Sequence, residues 1–183
     1  STYYDEMELL VRQITGAKDV CAFDWNVRSS AVKGTSGGTP GKDNNGNAEF
    51  NPEIAQVPVR SAHNDYTKKS GPQRVVDVMG EKNSKKLLGN RYAIINVWKP
   101  ISGPVMQTPL AICNSQTVSP EQLLDTDLVY PDRVGEIAML TFSQEQCWYY
   151  IPNMEETEVF LFKGFDSDPQ RARFAAHTAF DDP

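Results

Sequence analysis

The stretch that decides the fold is RYAIINVW, at residues 91–98, in which β-branched and aromatic residues predominate. Further runs of this kind are short and are bounded by Pro, Gly, Asn or Asp: 110–113, 136–142, 147–151, 159–165 and 173–180. They are too short and too evenly interrupted for alternating strand and helix units. The sequence therefore predicts a mostly β protein, an antiparallel sandwich or barrel with helices on its outside.

The regions around these runs predict the remaining elements. Apolar residues at helical spacing indicate a helix from Asp5 that stops at Gly16. A second helix is expected between Val75 and Leu88, and a third is expected at Ser119, where Ser can cap the helix and Pro120 suits its first turn. Residues 20–27 read as another strand. The Gly-, Ser- and Asn-rich segment 29–51 has little to bury and is predicted to be a flexible insert.

Composition limits the kinds of protein that this chain can be. With 183 residues, of which 39% are hydrophobic, we expect a single domain over 1–183, although the start without Met suggests incomplete termini. A net charge of -6 argues against binding to nucleic acid or to a membrane. No apolar run approaches the roughly 18 residues of a membrane span. The odd, widely spaced Cys21, Cys113 and Cys147 favour a reducing, cytoplasmic location.

The chain has two histidines, and one of them lies in an H-x-D unit, His63-Asn64-Asp65. On an extended segment, His63 and Asp65 point to the same side, which is a chelating geometry. Two histidines and one carboxylate on one face of an octahedron are typical of non-haem Fe(II) oxygenases. Alternatively, Asp65 caps a turn, and His177, on a late strand, is a buried histidine bonded to a backbone carbonyl.

Several longer motifs follow in a fixed order over about half of the chain: 91–100, 109–111, 127–136, 148–150, 163–167 and 172–183. Together with His63-Asn64-Asp65, they resemble a fungal and bacterial hydroxylase/desaturase family of secondary metabolism, which includes a gibberellin desaturase and a cephem methoxylase component. The resemblance implies a double-stranded β-helix, or jelly roll, with flanking helices. It also implies Fe(II) held by His63, Asp65 and His177, 2-oxoglutarate as cosubstrate, and O2. The expected reaction is hydroxylation, desaturation or oxidative cyclisation of a small secondary metabolite or amino-acid precursor.

One feature of the family is not found in its usual place. The far carboxylate of 2-oxoglutarate usually meets an Arg downstream of the second His, but residues 178–183 contain no basic side chain. Either that Arg lies beyond Pro183, or Arg173 replaces it, with Arg171 and Lys163 as weaker candidates. Arg173 could equally be a rim residue paired with an acidic neighbour.

The strand at 92–98 places Tyr92, Ile94, Asn96 and Trp98 on one face. If that face lines the interior, Asn96 is expected to bond the cosubstrate or substrate, and Trp98 to wall the pocket. The alternative is an ordinary core Trp, with Asn96 bonded to a bulge.

Two rival functions share these residues. One is a jelly-roll binding protein without catalysis, and the other is a hydrolase that holds Zn(II) with the same ligands. The expected partner in the favoured function is a small-molecule substrate, and a homodimer is a further possibility.

Overall fold

The computed structural model describes residues 2–31, 55–129 and 134–182. The chain divides into two units, Ser1–Val59 and Arg60–Pro183. A single oxygenase domain over 1–183 stays a prediction. Of the predicted insert 29–51, residues 32–51 lie outside the described part of the chain.

The described part of the first unit contains helix α1 (Thr2–Thr15), which confirms the helix predicted from Asp5. The strand predicted at 20–27 is wrong, since the structure describes all of these residues and assigns no strand to them. Instead, the backbone N–H of Ala22 donates to the Glu8 carboxylate at 2.8 Å, and the carbonyl of Val27 accepts from the N–H of Gln56. Among the described residues of this unit, an isolated parallel bridge pairs Arg28 with Gln56.

In the second unit, the described residues form eight strands: β1 (His63–Asn64), β2 (Ala93–Trp98), β3 (Leu110–Cys113), β4 (Leu123–Val129), β5 (Val134–Leu140), β6 (Trp148–Tyr149), β7 (Phe160–Asp166) and β8 (His177–Ala179). Six of them form one antiparallel sheet in the order β4-β5-β1-β8-β3-β6, and β2 and β7 form a second. The prediction of a mostly β, antiparallel protein with few helices is confirmed. All six predicted strand runs of this unit contain a strand, although β8 begins only at His177.

A bulge in β7 sets which side chains share a face of the small sheet. The register passes from Ile94 opposite Phe165 to Ile95 opposite Lys163, so Gly164 is the extra residue. Phe162 and Phe165 therefore lie on the face of Asn96, whereas Lys163 and Asp166 lie on the opposite face.

Helix α2 (Ser70–Leu88) contains the predicted segment but begins earlier. The backbone N–H groups of Lys69 and Ser70 donate to Thr67 Oγ1 at 3.1 and 3.0 Å, and Ser70 Oγ donates to the carbonyl of Glu136 in β5. These bonds attach the start of α2 to the large sheet. Gly80, with a φ of 74°, breaks the helical geometry within it.

The helix predicted at Ser119 is only a 3₁₀ turn, Pro120–Gln122. It is short because β4 begins at the next residue, Leu123, and pairs with β5. A second 3₁₀ turn lies at Ser115–Thr117. Among the described residues, no helix has both the length and the apolar character to cross a membrane.

The core of the second unit draws on both sheets. Its buried apolar residues are Ile94, Phe162 and Phe165 from the small sheet and Leu110, Ala111, Cys113, Ala138 and Ala179 from the large one, together with Met154 and Ala176. Burial of these side chains holds the two sheets together.

Candidate metal centre

Sheet register brings the two histidines together. His63 of β1 is the cross-strand partner of His177 of β8. Directly opposed residues of antiparallel strands point to the same face, and the two ring centroids lie 4.5 Å apart.

Asp65 completes a cluster of three donors. Its Oδ1 lies 3.5 Å from His63 Nε2 and 3.8 Å from His177 Nε2. One donor atom from each residue lies within 4.8 Å of the others. Donors about 2.1 Å from one metal ion and at right angles are about 3 Å apart, so a small inward movement would complete a site. The structure thus brings His63, Asp65 and His177 together as predicted, and metal binding by them stays a prediction.

The backbone fixes the orientation of both imidazoles. His63 Nδ1 lies 2.8 Å from the carbonyl oxygen of Ser61, and His177 Nδ1 lies 3.3 Å from that of Ala175. When an ion binds, each imidazole would keep its proton on Nδ1 and offer the lone pair of Nε2 to the ion. Without an ion, His63 Nε2 donates to the Asp65 carboxylate instead. The carbonyl bond predicted as the alternative for His177 is therefore present, and it suits a metal ligand.

The electrostatics keep the carboxylate ionised. Burial raises the pKa of Asp65, but the charges of the nearby imidazoles, that of His177 first, and hydrogen bonds from His63 and Asn96 outweigh burial. The pKa of Asp65 consequently lies well below its usual range. The His63 and His177 side chains are 11% and 10% exposed, whereas the Asp65 side chain is 33% exposed, so solvent reaches the cluster on the Asp65 side.

The small sheet supplies two supporting contacts. Asn96 Nδ2 donates to Asp65 Oδ2 at 2.6 Å, and the Phe162 ring lies 4.7 Å from the His177 ring. The sequence analysis named Asn96 as a site residue, but in a different role. It predicted that Asn96 contacts the cosubstrate or substrate, and this stays a prediction. The sequence did not predict the contact of Phe162 with His177. The bulge in β7 decides which face of the sheet Phe162 lies on, and a single glycine is the only sign of that bulge in the sequence.

The other two predicted site residues lie near this face. The Arg173 guanidinium lies 5.4 Å from the centre of the Phe165 ring. The ring centroids of Trp98 and Phe160 lie 6.4 Å apart. Arg173 lies four residues before β8, which begins at His177, so it is not part of that strand.

A buried asparagine lies between the first two candidate ligands. Asn64 is fully buried, and its Nδ2 donates to the carbonyl of Gly164, at the bulge of β7, at 3.0 Å. This bond ties the H-x-D segment to the small sheet. The sequence offered no signal for it beyond the position of Asn64 in the motif.

Comparison with known proteins places the chain in a family. A family model described as "Oxidoreductase/YMDC permease-like domain" matches residues 1–183. The chain belongs to this family.

Individual relatives are fungal oxygenases. The chain is 29% identical over 184 residues to the Fe(II)/2-oxoglutarate-dependent dioxygenase nvfI of Aspergillus novofumigatus (strain IBT 16806). The matched region covers 99% of this chain and 59% of the relative. The chain is 30% identical over 184 residues to the alpha-ketoglutarate-dependent dioxygenase phiK of a fungal species (strain ATCC 74256), covering 97% of this chain and 61% of the relative. The hydroxylase/desaturase CTB9 of Cercospora beticola is 26% identical, with 99% of this chain and 57% of the relative covered.

A solved structure agrees with these relatives. The iron and alpha-ketoglutarate-dependent endoperoxidase NvfI matches with a TM-score of 0.81 and 27% identity, over 100% of this chain and 62% of that one. The predicted resemblance to fungal hydroxylase/desaturases is confirmed. The chain spans less than two thirds of the length of the relatives described here.

Proposed function

We propose that the protein is an Fe(II)- and 2-oxoglutarate-dependent oxygenase that hydroxylates, desaturates or oxidatively cyclises a small secondary metabolite or amino-acid precursor. The observation that carries the proposal is the convergence of His63 Nε2, His177 Nε2 and Asp65 Oδ1 on one point. The names of the fungal relatives support the same chemistry.

The donor set suits Fe(II). Two imidazole nitrogens and one carboxylate oxygen match the ligand preference of non-haem iron, and three ligands leave open positions. When bound, Fe(II) supplies the oxidising chemistry, in which O2 and 2-oxoglutarate give succinate and CO2 while a C–H bond of the substrate is oxidised. Because only Asp65 carries a negative charge, the loaded site would retain a net positive charge that attracts the cosubstrate dianion.

The protein would hold the rest of 2-oxoglutarate with a cation. Its far carboxylate, buried without a partner, would cost several kcal/mol (order of magnitude), so a donor is required. Arg173 is our candidate within the chain, since its guanidinium lies against Phe165, on the sheet face that also carries Asn96 and Phe162. Trp98 shares that face and is proposed as a pocket wall.

We also propose that the two sheets are the halves of a double-stranded β-helix. The small sheet touches the candidate ligands through Asn96 and Phe162, and the large sheet provides both histidines. This arrangement, with the cluster between two antiparallel sheets, supports the jelly-roll assignment. The three cysteines are unpaired, which supports a reducing, cytoplasmic location.

The proposal is tested by succinate formation. The metal-free protein is incubated with Fe(II), 2-oxoglutarate and air, and succinate is measured for wild type, for His177→Ala, and for Asn83→Leu, an exposed control on α2. We expect turnover in the wild type and in the control, and none in His177→Ala. Turnover with His177→Ala at the wild-type rate would refute the site. Absence of succinate from all samples, with folded protein that binds iron, would refute the oxygenase proposal in favour of a binding protein or a hydrolase.

A further inference from the structure

The two oxygens of the Asp65 carboxylate have different neighbours. Oδ1 faces His63 Nε2 and His177 Nε2, whereas Oδ2 accepts the amide N–H of Asn96 at 2.6 Å. We propose that Asn96 is a positioning residue that holds Asp65 as a metal ligand through one oxygen only. This inference rests on the proposed function.

One-oxygen binding matters because coordination positions are limited. An octahedral ion has six positions, and three protein donors leave three for the cosubstrates. A carboxylate that binds through both oxygens would occupy one more position and leave two. By engaging Oδ2, the Asn96 amide keeps that oxygen away from the ion.

The amide side chain of Asn96 is well suited to positioning Asp65. Asn96 Nδ2 donates a hydrogen bond but carries no charge, so it orients Asp65 without competing with the metal ion for it. A Lys or Arg in its place would form a charged pair with Asp65 and weaken its attraction for a cation. An Asp would add a second negative charge and a second potential ligand.

Register fixes Asn96 at this place. Asn96 pairs with Phe162 across β2 and β7, and the Phe162 ring contacts His177. One cross-strand pair of the small sheet thus contacts two of the three candidate ligands. The bond from Asn64 to the Gly164 carbonyl fastens the H-x-D segment to the same sheet.

The test uses Co(II) alone as a probe, under nitrogen and without cosubstrate. Asn96→Leu keeps the side-chain shape and removes the donor, and Asn96→Ala is a second variant in case the first does not fold. Asn83→Leu is the matched control, at an exposed position of α2. The dissociation constant and the visible absorption of bound Co(II) are measured, together with the melting temperature of the metal-free protein.

We expect about 10- to 100-fold weaker Co(II) binding in the Asn96 variants. We also expect a changed visible absorption spectrum, because a second Asp65 oxygen would replace a water ligand of the ion. Asn96→Gln, which restores an amide with one more methylene, should recover part of the affinity. The control should match wild type in both readouts.

The outcomes separate this inference from the proposed function. If Asn96→Leu, or Asn96→Ala where Leu does not fold, binds Co(II) within about twofold of wild type with an unchanged spectrum, Asn96 does not position Asp65. Loss of Co(II) binding by His177→Ala in the same series would then leave the metal site standing. Retained binding by His177→Ala would refute both.

Discussion

His63 and His177 are cross-strand partners in neighbouring antiparallel strands, with ring centroids 4.5 Å apart. The two candidate ligands come from distant parts of the sequence and meet only when β1 and β8 pair. A metal ion held by both would therefore bind the folded protein and not the unfolded chain. Metal binding and folding should be coupled.

This coupling predicts a metal-dependent melting temperature. Co(II) at about one hundred times its dissociation constant should add about 2.7 kcal/mol to the free energy of unfolding of the wild type. His63→Ala should lose the gain, because one imidazole ligand is removed. Thermal unfolding followed by circular dichroism, with and without Co(II), measures both.

Removal of the metal provides the control for this experiment. A chelator should return the wild-type melting temperature to its metal-free value. A Co(II)-dependent gain of the same size in His63→Ala would place the ion elsewhere in the protein.

A second prediction concerns the start of α2. A Cβ on Gly71 would lie within 3 Å of ring atoms of Phe165, which is itself 2% exposed. Gly71→Ala should lower the free energy of unfolding by about 1–3 kcal/mol, because a buried ring must move. Chemical denaturation measures the loss.

Gly89→Ala is the matched substitution for this comparison. Gly89, at the other end of α2, has a φ of -78° and nothing closer than 3.6 Å to an added Cβ. Its free energy of unfolding should stay within about 0.5 kcal/mol of wild type. Equal effects of the two substitutions would mean that Phe165 does not constrain Gly71.

The sequence was informative where a segment buries one face. Residues 91–98 and 159–165 are rich in β-branched and aromatic residues and contain β2 and β7. By contrast, β4 carries Asp125 and Asp127 and lies largely exposed at the edge of the large sheet, so its sequence lacks an apolar pattern. Residues 20–27 have a similar composition but form no strand, since strand propensity alone does not form a sheet.

The candidate ligands were predictable for a different reason. H-x-D is a local pattern, and His177 is the one other histidine of the chain. The contacts of Asn96, Phe162 and Asn64 depend on the register and bulge of β2 and β7, which propensity does not specify. These supporting residues could be recognised only from the folded arrangement.

A third prediction concerns the cosubstrate. If Arg173 binds the far carboxylate of 2-oxoglutarate, Arg173→Ala should raise the apparent KM for 2-oxoglutarate by about tenfold or more, since a charge-assisted pair is lost. The maximal rate at saturating cosubstrate should change less, because the metal ligands remain. Succinate formation over a range of 2-oxoglutarate concentrations measures both values.

Arg171→Ala is the matched control for this test. Arg171 lies two residues away, and its side chain is 58% exposed and pairs with Asp168. Its KM for 2-oxoglutarate should match wild type. A normal KM in Arg173→Ala, or an equal rise in both variants, would remove Arg173 from the cosubstrate site.

The fourth prediction concerns the opposite face of the small sheet, where the fully buried Asp166 carboxylate accepts hydrogen bonds from Arg91 and Lys163 at 2.9 and 2.7 Å. Burial raises the pKa of Asp166, but these two cations and the backbone N–H of Asp168 outweigh it and hold the pKa well below its usual range. A lowered folded-state pKa stabilises the protein above the unfolded pKa of about 3.9, and this contribution is lost as pH falls below that value.

At pH 7, Asp166→Asn should therefore be less stable than wild type by about 2 kcal/mol, and the difference should shrink on acidification below about pH 4. Asp168→Asn, which weakens more exposed pairs with Arg171 at 3.2 Å and with Arg91 at 3.9 Å, should cost less than about 1 kcal/mol. Urea unfolding of the three proteins between pH 7 and pH 3 measures these differences, and a pH-independent gap between wild type and Asp166→Asn would show that the ionised carboxylate does not stabilise this sheet.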